Sequence, residues 1–146
     1  LIGRKLARDQ GAVMSRLIVQ VKGDAAALLR QPDPLLVSLG RALQRGVDAL
    51  AEATAGLLAA PPREAAASAV PYLWLTGTVV GGWLMGRAAD AATVQLGVGG
   101  DDAGFLQAKR VTALHFARHV LPQAPALCEA VVHGAPSTLG LHQDQF

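Results

Sequence analysis

Residues 33–62 read DPLLVSLGRALQRGVDALAEATAGLLAAPP, and this stretch decides the fold. Its apolar and small residues recur in alternating steps of three and four, the spacing of one helix face. They are Leu36, Leu39, Leu43, Gly46, Leu50, Ala53 and Leu57. Asp33 is typical of an N-cap and Pro34 of the first helical position, where a missing N–H costs nothing. Because Pro61 and Pro62 cannot continue a helix, we predict a helix from about Pro34 to Ala59.

The preceding residues predict an earlier helix of the same kind. From Gly11 to Leu29 the apolar positions again follow steps of three and four. They are Met14, Leu17, Ile18, Val21, Ala25 and Leu28. Pro32 and Pro34 bias the residues before them toward extended conformations, so the segment between the two helices is predicted to be a turn.

A third helix is predicted from Pro62, through Pro71, to about Thr93. No charged residue lies between Glu64 and Arg87. This uncharged stretch is as long as the ~20 residues that cross a membrane, so a transmembrane helix is one interpretation. We favour the other, a helix at the centre of a bundle, because the stripes on the remaining helices need an apolar partner. We therefore expect no membrane span.

Four glycines lie in the third helix: Gly77, Gly81, Gly82 and Gly86. Each weakens a helix by about 0.8–1 kcal/mol relative to alanine, so close approach of another backbone should offset them. Their spacings of four predict a groove along the helix. We expect Gly81 and Gly82 to lie nearest the alanine-bearing face of the fourth helix, in ordinary packing rather than in a ligand channel.

The fourth helix should follow the connector Gly97–Gly100, with Asp101 and Asp102 as capping residues, and run to about His133. Pro122 and Pro125 should bend it. Its predicted stripe is Ala113, Phe116, Ala117, Val120, Ala124, Leu127 and Val131. Residues 135–146 show little periodicity and are predicted to form a partly ordered tail. The sequence thus predicts an all-α fold, a four-helix up-and-down bundle.

Charge and cysteine content exclude several classes of function. The net charge is +2, from 13 basic and 11 acidic residues scattered along the chain, so we expect no nucleic-acid partner. Cys128 is the single cysteine, which excludes an internal disulfide and favours a reducing compartment, the cytoplasm. The first residues, Leu1 to Arg8, lack a signal-peptide pattern, and we expect the chain to be part of a longer one.

Three groups of residues are candidate sites. His115 and His119 are four apart, as in some metal-binding helices, but lie opposite the apolar stripe, so we interpret them as surface residues. The connector before the fourth helix could cradle a phosphate, but the aspartates after it would repel one. Cys128 is interpreted as a core residue rather than a nucleophile, because no paired histidine is evident. We predict no catalytic, cofactor-binding or metal-binding residue in this chain.

Two sets of residues resemble segments of the acyl-CoA dehydrogenase family. The opening segment is similar to the one that follows the family's catalytic loop: Leu1, Ile2, Gly3, Arg4, Lys5 and Leu6, closed by Asp9, Gln10 and Gly11. Later residues resemble the helical C-terminal domain of the branch that includes the 3-methylmercaptopropionyl-CoA dehydrogenases. They are Pro71, Tyr72, Leu73, Gly77, Gly81, Gly82, Trp83, Phe105, Ala108, Lys109, Ala113, Phe116, Leu121 and Pro122.

The resemblance implies that residues 1–10 end a preceding dehydrogenase domain, 11–134 form the C-terminal bundle and 135–146 the tail. In the family, a glutamate just before the Gly-Arg-Lys-Leu segment removes the substrate's α-proton while FAD takes the β-hydride. This chain starts after that glutamate, and none of Glu52, Glu64 or Glu129 is assigned its role. The implied partners are the catalytic domains of the parent polypeptide and a further subunit of a homo-oligomer, and the parent acts on an acyl-CoA.

Three interpretations therefore remain open. The first is an accessory domain that packs on the catalytic body or a subunit interface of its parent enzyme. The second is a stand-alone helical module that binds a ligand or a protein. The third is a membrane-embedded helix with a soluble cap.

Overall fold

A computed structural model describes residues 9–99, 102–141 and 143–145 of the chain. These residues form helices and turns, with no strand among them, which confirms the all-α prediction. The helices are α1 (Ala12–Leu29), α2 (Pro34–Ala59), α3 (Pro62–Ala67), α4 (Ala69–Gly97), α5 (Ala103–His119), α6 (Ala124–His133) and α7 (Ala135–Leu139). Short 3₁₀ turns span Leu121–Gln123 and Gln143–Gln145. The arrangement is compatible with four predicted helices, two of which are interrupted.

Some predicted features lie outside the described residues. They are the dehydrogenase-like residues 1–8, Gly100 and Asp101 of the connector, and His142 and Phe146 of the tail. The other two capping predictions are confirmed. The backbone N–H of Leu35 donates to the Asp33 carboxylate at 2.8 Å, and that of Phe105 donates to Asp102 at 3.0 Å. These caps satisfy N–H groups that a helix start leaves without an intrahelical acceptor.

The predicted third helix is broken at Ser68, where the prediction of one continuous helix was wrong. Pro71 explains the position of the break. Its ring lacks the N–H that would bond to the carbonyl of Ala67 and collides with that carbonyl in a regular helix. The Ser68 hydroxyl instead donates to the backbone carbonyl of Val131 at 2.9 Å, which fixes the break against α6.

The predicted fourth helix bends where its prolines are. It ends as α5 at His119, passes through the 3₁₀ turn that contains Pro122, and resumes as α6. Within the predicted tail, residues 135–139 form a helix that was not predicted, α7, which packs against α3. Pro136 starts this helix without needing its own N–H, and a helix of 5 residues is too short to show a period.

Helices α2 and α4 pack against each other, and each also packs against α1, α5 and α6. The uncharged helix is thus a central contact of the bundle, but the expectation that other helices surround it was wrong. Helix α4 buries one side, including Tyr72, Leu75 and Val79, and exposes the opposite side. The uncharged sequence could not indicate this, because both sides of the helix are apolar and the pattern lacks a period.

A buried hydrogen bond joins α2 to α4 inside the core. The Thr54 hydroxyl donates to the carbonyl of Leu50 at 2.7 Å, and the Tyr72 hydroxyl lies 2.9 Å from the same Thr54 oxygen. Burial raises the pKa of Tyr72 above its usual value. The phenol therefore stays neutral and donates to Thr54.

Candidate functional site

The two histidines weighed as a metal site lie at the surface, as predicted. The rings of His115 and His119 are 4.4 Å apart between centroids, and both residues are exposed. Within the described ranges, no three His, Cys, Asp or Glu side chains lie close enough together to hold a metal ion. The pair thus forms a tilted ring contact on the surface of α5.

Cys128 is buried in the core, as predicted. Burial raises the pKa of its thiol, and the nearby carboxylates of Glu52 and Glu129 raise it further. The thiol is therefore protonated at neutral pH, which makes it a poor nucleophile. A cavity of about 360 Å³ between α2 and α6 is lined by Cys128, by these two carboxylates and by further residues that include Arg45.

The four glycines of α4 do not share one groove. A Cβ atom on Gly81 would lie 2.9 Å from Phe116 Cζ, and one on Gly82 would lie 2.7 Å from Leu121 Cδ2. Both glycines are in close contact with residues of the predicted fourth helix, as expected. The predicted approach of an alanine-bearing backbone was wrong, because the bulky side chains of Phe116 and Leu121 fill the space. Gly86 faces α1 instead. A Cβ atom added at Gly77 would meet no other described atom within 4 Å.

The geometry of a helix explains why the groove prediction was wrong. Gly77 and Gly86 are nine residues apart, which is about two and a half helical turns, so they lie on opposite sides of α4. Residues spaced by four share one face over a turn or two. Each step also shifts them slightly around the helix axis, so residues further along lie on another face.

A contact between α1 and α4 was not predicted. The indole N–H of Trp83 donates to the Asp24 carboxylate at 2.6 Å, and the Arg87 guanidinium lies 5.5 Å from the centroid of the Trp83 ring. A cavity of about 280 Å³ beside them is also lined by Asp90. The partners Asp24 and Trp83 are 59 positions apart, and neither lies in a local motif that would have indicated the contact.

The most distinctive surface is the outward face of α4, which we define as Val70, Leu73, Trp74, Gly77 and Leu84. All five residues are exposed, and the exposed fractions of the four with large side chains are 60%, 55%, 65% and 51% in chain order. Monomeric soluble proteins scatter such residues singly, and a contiguous apolar patch is typical of an interaction surface. None of the described helices has the length and apolarity needed to cross a membrane.

Comparison with known proteins agrees with the predicted resemblance. The profile of the family described as "Acetyl-CoA dehydrogenase C-terminal like" matches residues 14–142. The 3-methylmercaptopropionyl-CoA dehydrogenase of Ruegeria pomeroyi is 38% identical over 136 residues, which cover 86% of this chain and 22% of that protein. The chain thus spans less than a quarter of the length of this relative. It belongs to the acetyl-CoA dehydrogenase C-terminal like family.

Proposed function

We propose that this chain is the accessory C-terminal domain of an FAD-dependent acyl-CoA dehydrogenase, and that it packs on the catalytic body or a subunit interface of its parent. One observation carries the proposal. The chain builds a hydrophobic core of its own, yet it corresponds to 22% of the length of a relative named as a dehydrogenase. A self-contained core within a longer enzyme is what defines an added domain.

The reaction belongs to the parent enzyme. Its base would take the α-proton of an acyl-CoA thioester and FAD would take the β-hydride, which leaves an α,β-unsaturated thioester. In this chain Glu52, Glu64 and Glu129 are exposed residues on three different helices. A carboxylate in water lacks the desolvated setting that tunes such a base, so we assign none of them a catalytic role.

Among the described residues, the two larger cavities do not fit FAD. The cavity of about 280 Å³ presents the carboxylates of Asp24 and Asp90, and the one of about 360 Å³ presents those of Asp48, Glu52 and Glu129. Each cavity also holds one arginine, Arg87 or Arg45, but the carboxylates outnumber it, so the net negative charge would repel the pyrophosphate of the cofactor. We therefore place FAD, like the acyl-CoA substrate, in the catalytic part of the parent.

We also place the parent in the cytoplasm, as a homo-oligomer. The buried free thiol of Cys128 is compatible with a reducing compartment. The exposed apolar side chains on α4 are compatible with burial against another part of the enzyme.

The proposal is tested with two purified proteins, the 146-residue chain and the whole polypeptide encoded by its reading frame. We expect the chain alone to be helical, colourless and unable to oxidise acyl-CoA thioesters. The whole polypeptide should be yellow with bound flavin and should reduce an artificial electron acceptor when acyl-CoA is added. Flavin retained by the isolated chain would overturn the proposal, as would a reading frame that encodes no dehydrogenase part.

A further inference from the structure

We infer that the outward face of α4 is the surface by which this domain docks on the catalytic part of the same polypeptide. The inference rests on the proposed function, and it names the docking surface and the partner. At 3.6 residues per turn, Val70, Leu73, Trp74, Gly77 and Leu84 lie within about 100° of arc. The first four form one continuous strip, and Leu84 lies two turns further along, beyond Gly81, which the Phe116 ring covers.

The composition of the strip is that of the centre of a protein interface. It contains no charged residue, and Trp74 is of the residue type most often found at interface hot spots. Gly77 has open space where its Cβ atom would be, as far as the described residues extend. It leaves a notch beside Trp74 that a side chain of the partner could fill.

A membrane surface does not fit this helix. Helices that lie on membranes carry several lysines or arginines on the polar face that flanks the apolar one. Helix α4 has Arg87 as its single basic residue, and the side opposite the outward face is buried in the bundle. The chemistry of the strip therefore points to an apolar protein surface.

The catalytic part suits this role better than a second copy of the chain. In the Ruegeria pomeroyi relative, the matched segment is 22% of the protein, so most of that polypeptide lies outside the match. A partner tethered to the domain acts at an effective concentration of about millimolar, independent of protein concentration. A strip covered by such a partner would be protected from water in every molecule, whereas a second copy would cover it only after association.

Cysteine labelling tests the inference, because the native thiol of Cys128 is buried and reacts slowly. Gly77→Cys puts a thiol in the strip, and Gly23→Cys puts one on the exposed side of α1 as a matched control. Both glycines are exposed, and an added Cβ at either meets no other described atom within 4 Å. Each variant is prepared in the 146-residue chain and in the whole polypeptide, and maleimide labelling is followed by peptide mass spectrometry.

We expect both cysteines to react equally fast in the isolated chain. In the whole polypeptide, Gly77→Cys should react at least about tenfold more slowly, while Gly23→Cys keeps its rate. Equal rates for the two cysteines in the whole polypeptide would overturn the inference and leave the proposed function standing. Protection of Gly77→Cys in the isolated chain that grows with protein concentration would also overturn it, in favour of a second copy. A different result would contradict the proposed function, namely a reading frame that encodes no dehydrogenase part.

Discussion

Alanine substitutions at Gly77 and Gly82 should change the stability of the chain in opposite directions. Both glycines lie inside α4, so each alanine gains the same helix propensity, about 0.8–1 kcal/mol. The two positions differ in what the new methyl group meets. At Gly77 it meets no described atom within 4 Å, so Gly77→Ala should stabilise the chain by up to about 1 kcal/mol.

At Gly82 the methyl group would collide with Leu121. The new Cβ would lie 2.7, 2.8 and 2.9 Å from the Cδ2, Cδ1 and Cγ atoms of that side chain. Leu121 cannot easily move aside, since it is buried and its Cδ2 would lie 3.1 Å from a Cβ on Gly46 of α2. It thus fills a gap between glycines on two helices. Overpacking such a site costs about 1–3 kcal/mol, so the two variants should differ by about that amount.

Urea denaturation followed by circular dichroism measures the difference directly, and thermal melts check it. For a chain of this length, 1 kcal/mol corresponds to a shift of about 2–4 °C in the midpoint. Gly81→Ala provides an intermediate case, because the atom it approaches is the tip of the half-buried Phe116 ring, which can rotate away. If Gly82→Ala stabilises the chain as much as Gly77→Ala does, Leu121 does not fill the gap and the packing described here is incorrect.

Two further substitutions test the buried polar contacts. Tyr72→Phe removes the hydrogen bond to Thr54 and should cost about 1 kcal/mol at neutral pH. Because burial raises the pKa of Tyr72, the unfolded chain loses this proton first, and the wild type should lose stability as pH rises above about 10. The difference between the urea midpoints of the wild type and Tyr72→Phe should therefore shrink from neutral to alkaline pH. A difference that stays constant would contradict the hydrogen bond from Tyr72 to Thr54. Ser68→Ala leaves the Val131 carbonyl without its side-chain donor and should cost about 1–3 kcal/mol, whereas the exposed control Ser137→Ala should cost less than about 0.5 kcal/mol. Equal midpoints for these two serine variants would show that the bond at the helix break adds no stability.

Local sequence signals predicted much of the fold. The period of α2 placed its buried face correctly, from Leu36 through Leu57. Asp33 and Asp102 cap the helices that they were expected to cap. Both signals come from residues that lie within one or two helical turns of each other, so they can be recognised from a short stretch of sequence.

Long-range contacts were beyond such reasoning. The carboxylate of Asp33 also pairs with the guanidinium of Arg110, 77 positions away, and ties α5 to the start of α2. Nothing around either residue indicates that partner. The outward face of α4 was missed for another reason, because an uncharged helix looks the same whether it is surrounded by protein or exposed along one side.

The central claim is that this domain packs on the catalytic part of a longer dehydrogenase. Its most direct test is a whole polypeptide with a protease site inserted before Gly11, cleaved after folding and run on a gel-filtration column. The account predicts that the cleaved domain elutes with the flavin-bearing part, and that Trp74→Ser, which removes the largest side chain of the outward face, releases it. A wild-type domain that elutes alone, at the volume of the free domain and apart from the flavin-bearing part, would contradict the account.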